Sequence, residues 1–330
     1  MREHQSMNTN SNEPMTTTAS DGNGFIKIWR NKYLGNRVRV FVLRRAKLDC
    51  GLEGLINNLD FLPRLADEDR DGGFRVLLRV NRLAFINHIS GYVEKKSVID
   101  RVNCVSVVTF TDQIEDQVDI PGDFLPCSTE IVHMGGLGRH SLAPRFFNQC
   151  RRLREIHFSS HFDQSLEAMV PSTVTEISVG AHIKHPLLSW HLPPDLRVLR
   201  VQSIFDFRLP LPLPQTLKTL YLGGSVNESP LPQLPSSLTE LFFGAFFDSP
   251  LQPSDLPPSL TSIRFGQHFN QPIDSNTLPP LLETLVFGKD FNRPLPATLP
   301  STLKELKLPL HYSHSTETLS KSIRITTLPH

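Results

Sequence analysis

The chain has 330 residues, enough for two ordinary domains and a sizeable core. Its 34 Lys+Arg and 33 Asp+Glu leave a formal net charge of +1, which argues against a dedicated nucleic-acid or membrane-surface protein. Proline is the outlier: of 27 residues, 22 fall from residue 171 onward, so the C-terminal half cannot be built of long helices.

Residues 1–24 are polar, rich in Asn, Ser and Thr, and lack the apolar run of a signal peptide; they read as a disordered tail. Residues 25–47 hold eight Lys/Arg and no acid. Phe25, Ile28, Trp29, Tyr33 and Leu34 have near-helical spacing, so the basic residues fit the solvated face of a helix. This segment opens a small mixed or helical cap over 25–100. Asp67-Glu68-Asp69-Arg70-Asp71-Gly72 begins like a calcium loop, but Leu78 stands where the bidentate glutamate belongs, and an acidic surface loop is the better reading. The four cysteines form no CxxC pair, and Cys104, Cys127 and Cys150 read as small buried thiols of a reducing, cytoplasmic compartment.

From residue 149 the chain falls into rows of 21 or 22 residues. The clearest begin at Leu234, Leu256 and Leu278; others start at Gln149, Val170, Leu192, Leu213 and Leu299. Their consensus is L-P-x-x-L-x-x-L-x-F-G-x-x-F-N-x-P-L. The fifth and eighth positions, from Leu153 and Ile156 to Leu303 and Leu306, are aliphatic in every row. Alternation around Leu241-Phe242-Phe243 predicts a short half-buried strand. Gly180, Gly223, Gly244, Gly266 and Gly288 follow it, where a turn through a conformation other residues resist is expected. Asp163, Asp248, Asn270 and Asn292 follow the next apolar position and can bond the turn backbone or form a ladder. The prolines favour an extended return. No row can bury its own apolar face, so the rows must stack. Residues 101–148 read as degenerate rows with an insertion at Gly135–His140, residues 149–316 as the regular solenoid, and 317–330 as a C-terminal cap or tail.

The signature stands as Phe269-Asn270-Gln271-Pro272-Ile273 and Phe291-Asn292-Arg293-Pro294-Leu295. It resembles the FNIP repeat, which is related to leucine-rich repeats. The resemblance implies a mostly β, leucine-rich-repeat-like solenoid with a parallel sheet and no enzymatic activity. The 25–47 segment also resembles the leader of FNIP-repeat proteins, which is similar to a degenerate F-box. An F-box would make the chain a substrate-recognition adaptor of a ubiquitin ligase.

Chemistry is sparse. His161, His182, His268 and His311 share the thirteenth position of their rows, but no cysteine joins them in a zinc shell. The Gly135–Arg139 loop lacks a phosphate-loop pattern, and no nucleophile elbow occurs. Catalytic residues, metal ligands and cofactors are therefore not expected. The ninth position points outward and brings Arg200, Tyr221, Phe242 and Arg264 side by side, the composition of an interface hot spot. The expectation is a cytoplasmic, monomeric, non-enzymatic scaffold for an unidentified protein partner, without nucleic acid or membrane as ligand.

Overall fold

Each row folds by the same three steps, and its sequence dictates them. The leucine-proline opening makes a tight turn, because the proline carbonyl accepts a hydrogen bond from the amide three residues on. Leu238 donates to Pro235 at 3.1 Å, Leu260 to Pro257 at 3.2 Å and Leu282 to Pro279 at 3.2 Å. The extended return expected for this proline is thus a β-turn. A strand of three or four residues follows, after which the glycine and the second aromatic carry the chain back across the core.

The computed structural model describes residues 47–57, 59, 75–80, 82–111, 120–135, 137, 142–143, 145–182, 185, 188–202, 212–223, 231–317 and 319–327. The tail at 1–24, the basic segment up to residue 46 and the acidic loop at 67–74 lie outside them. The described strands are β1 (Lys47–Gly51), β2 (Arg75–Val80), β3 (Val105–Phe110), β4 (Ile131–His133), β5 (Glu155–His157), β6 (Glu176–Val179) and β7 (Val198–Val201). They continue through β8 (Thr219–Tyr221), β9 (Glu240–Phe242), β10 (Ser262–Arg264), β11 (Thr284–Val286), β12 (Glu305–Leu308) and β13 (Arg324–Thr327). All 13 lie in one parallel sheet in chain order, the topology of a β-solenoid. Two helices, α1 (Leu52–Asn57) and α2 (Arg82–Val102), occupy the N-terminal connections. Strands β1 and β2 belong to the same sheet as the repeats. Tyr92 of α2 is buried, donates to the Phe124 carbonyl at 2.8 Å and lies against that ring at 4.8 Å.

The core is a set of ladders. Fifth- and eighth-position side chains are buried in every row from Leu153 and Ile156 to Leu303 and Leu306. Phe243, Phe265 and Phe287 stack at 5.1 and 5.3 Å between ring centres. Phe247, Phe269, Phe291 and Tyr312 make a second stack at 5.9, 6.2 and 6.0 Å. The second stack is farther along the row from the strand and is more widely spaced. Beside it the rows remain hydrogen-bonded, His268 to Ala245 and Asp290 to Gln267, each at 2.9 Å.

Two polar ladders hold the rows in register. The Asp248 carboxylate accepts the Asn270 amide at 2.8 Å, the Asn270 side chain accepts that of Asn292 at 3.0 Å, and Asn292 accepts that of Ser313 at 3.0 Å. On the opposite side of the strand, fourth-position hydroxyls donate back to the preceding row. Thr173 bonds Leu153, Thr216 Leu196, Ser237 Leu217, Ser259 Leu238 and Thr302 Leu282, at 2.6–2.9 Å. Leu281 occupies this place in its row and is half exposed.

The glycines answer to a different constraint from the one expected. A Cβ on Gly266 would lie 1.8 Å from the Gly244 carbonyl oxygen, and one on Gly288 equally close to that of Gly266. Neither glycine has a left-handed φ. The requirement is the close approach of consecutive rows.

These contacts set the expected stabilities, read from urea unfolding. Gly266→Ala forces two rows apart and is expected to cost about 1–3 kcal/mol. Asn270→Ala leaves the Asn292 amide without its acceptor and is expected to cost about 1–2 kcal/mol. Leu281→Thr supplies the missing rung to the Leu260 carbonyl and is expected to gain about 0.5–1.5 kcal/mol. Thr at this site without a gain would show that the hydroxyl ladder carries no stability.

Candidate binding face

Strands β7 to β10 place the four outward residues of the sequence reading in one line. Arg200 is the register partner of Tyr221, Tyr221 of Phe242, and Phe242 of Arg264. Side chains in this line are in phase because the strands pair in register without a bulge, so identical row positions meet on the same face. The Tyr221 and Phe242 rings stack at 4.0 Å and 10°. The Arg200 guanidinium lies 4.8 Å from the Tyr221 ring centre and also donates to the Glu176 carboxylate. Arg264 is exposed, and its guanidinium has no partner among the described residues. The two rings are half-buried, since each shields a face of the other.

The ninth position is not solvent-exposed in every row. Ser178 and Val286 on the same line are buried. Val286 is nevertheless flanked by Arg264 and Lys307 as register partners, whose long stems cover a short side chain between them.

Toward the N-terminus the same face changes character. His133 and His157, partners across β4 and β5, stack at 4.6 Å and 16°. Burial, and then the neighbouring His157, hold the His133 imidazole below its ordinary value of 6.5. Glu155 and Glu176 are partners across β5 and β6. His157 and these two glutamates form a cluster that the sequence reading missed. The row alignment places all three at the seventh and ninth positions of adjacent rows, which was the available signal.

The turn edge is the other charged surface. Glu130, Arg151, Arg152, Arg154 and Thr173 line a shallow depression there. Burial pushes the Glu130 carboxyl up, but hydrogen bonds from Arg75 and Arg154 outweigh it and hold the group below the usual carboxylate range. The thirteenth-position histidines are likewise turn residues. His161 and His182 lie 5.1 Å apart, His161 is bonded to the Ser160 hydroxyl at 2.9 Å, and His268 pairs with Asp290 at 2.7 Å. Burial pushes the Cys104 and Cys150 thiols up to about 12, so neither is a thiolate nucleophile at neutral pH. No helix among the described residues is long and apolar enough to cross a membrane.

The repeat geometry can now be set beside known proteins. The family model of the FNIP repeat matches residues 227–268, 247–290 and 269–311. Residues 227–311 of this chain are FNIP repeats. No curated protein matches it. The three matched segments overlap and correspond to the rows around β9 to β12, where both phenylalanine stacks and the asparagine ladder are continuous. Earlier rows of the chain keep the strand and turn while departing from the signature. Cys150 takes the place of the proline in the turn that Leu153 closes at 3.0 Å.

The His133 environment generates a pH dependence. Its folded-state pKa is depressed, so the unfolded chain takes up the proton first on acidification. The associated stability is full above the ordinary histidine value and falls as the pH drops below about 6.5. In His133→Gln, the fall in urea midpoint between about pH 7.5 and pH 5 is expected to be smaller than in the parent chain. An identical fall in both would show that His133 does not contribute.

Proposed function

We propose that this chain is a non-enzymatic protein-interaction scaffold, and that its partner docks on the open face of the sheet across Arg200, Tyr221, Phe242 and Arg264. The observation that carries this reading is the stacked Tyr221–Phe242 pair bracketed by two arginines. Stacking fixes the rings before any partner arrives, so little side-chain entropy is lost on docking. Tyrosine and arginine are the residue types that most often dominate interface energetics. Arg264 supports the reading further, because an exposed cation beside an aromatic platform can pair with a partner carboxylate that is desolvated on docking. The line of side chains runs across the strands, which suits a partner segment laid across them in the same direction.

Affinity purification with mass spectrometry, run on the parent chain and on Phe242→Ala/Arg264→Ala, tests this. The double variant removes only partly exposed groups, and its circular dichroism is expected to match the parent. Proteins recovered with the parent are expected to fall at least about tenfold with the variant. Recovery unchanged by the double substitution would move the site off this face, and a parent chain that retains no protein would overturn the scaffold reading.

A further inference from the structure

Strands β5 and β6 set two carboxylates opposite each other on the open face. Glu155 and Glu176 are direct register partners and both are half-buried. Like charges at such a pair destabilise a sheet unless a cation lies between or beside them. The groups beside them are Arg200, which donates to Glu176, and His157, whose Nε2 lies 3.7 Å from the Glu155 carboxylate. Glu155, His157 and Glu176 each offer a ligand atom, and these three atoms all lie within 4.8 Å of one another.

We propose that Glu155, His157 and Glu176 form a binding site for a divalent transition-metal ion of the zinc type. One imidazole nitrogen and two carboxylate oxygens are a donor set suited to Zn²⁺, whereas Mg²⁺ and Ca²⁺ prefer oxygen alone. Bonds of roughly 2.0–2.2 Å around a tetrahedral ion require ligand atoms about 3.4 Å apart. The two glutamates reach that separation by rotating their side chains. His157 needs less adjustment, because the His133 ring stacked on it at 4.6 Å fixes its plane. Three protein ligands leave one position for water.

Arg200 is the built-in competitor. An ion at Glu176 competes with the guanidinium for the charge of that carboxylate, and the guanidinium keeps the Tyr221 ring at 4.8 Å as an alternative partner. Ion binding therefore weakens the Arg200–Glu176 pair. The site stands on residues of β5 and β6 and does not depend on the protein-docking reading.

Isothermal titration of the full chain with ZnCl₂ tests the site directly. The expected result is one ion per chain with a Kd below about 100 µM. His157→Ala and the isosteric Glu155→Gln are each expected to weaken it at least about tenfold. Arg200→Gln is expected to tighten it several-fold, about 3-fold or more, by removing the competitor. His161→Ala/His182→Ala, at the turn-edge histidine pair, is expected to leave it unchanged. Absence of one-to-one binding below about 100 µM overturns the proposal. So does binding that survives both His157→Ala and Glu155→Gln, or that is lost with His161 and His182. An Arg200→Gln chain that binds no tighter overturns the competition.

Discussion

Everything in this molecule depends on the spacing between hydrogen-bonded parallel strands, about 4.8 Å. A row is one chain thick, so no side chain in it is buried by its own row alone. Contacts within a row, such as Phe265 on Phe269 at 4.0 Å, are completed by the rows above and below, so stability requires stacking. That one distance explains why aromatic rings lie flat against their counterparts, with interplanar angles of 3° and 9° in the Phe243–Phe265–Phe287 stack. It also brings the Gly244 carbonyl so near Gly266, and that of Gly266 so near Gly288, that neither glycine can carry a Cβ. Polar side chains at the turns must reach exactly one row, which short Asn, Asp, Ser and Thr side chains do.

The same spacing shapes the open face. Because register is kept from β4 to β12 without a bulge, any outward residue type becomes part of a line across the strands. In the core such a line is repetitive because packing demands it. On the face it is free to vary, and it does: histidines on β4 and β5, glutamates on β5 and β6, an arginine on β7, aromatics on β8 and β9, an arginine on β10. The core positions answer to packing in every row, and the face positions do not.

The stacked core was legible in the sequence because its demand is one residue type at one position in every row. Leu238, Leu260 and Leu282 repeat without exception, and so do Leu241, Ile263 and Leu285 as aliphatics. The asparagine ladder was legible for the same reason. The hydroxyl ladder was written just as plainly in Ser237, Ser259 and Thr302, but Ser and Thr beside a proline also suit an ordinary turn. The purpose of Gly266 was misread because sequence shows that a side chain is absent without showing what occupies its place. The membership of β1 and β2 in the sheet was hidden for a different reason: α2 fills the connection before β3, so the 21- or 22-residue period is absent there.

The cluster of Glu155, His157 and Glu176 could not be read from any single row, since each residue is ordinary in its own. Only register makes two glutamates face each other, and only then does Arg200 acquire two competing roles. Its guanidinium neutralises Glu176 on one side and covers Tyr221 on the other. The half-buried carboxylate would otherwise be left facing Glu155 across the ladder, at a cost that neither row bears alone. Arg200 therefore joins the acidic end of the face to its aromatic end.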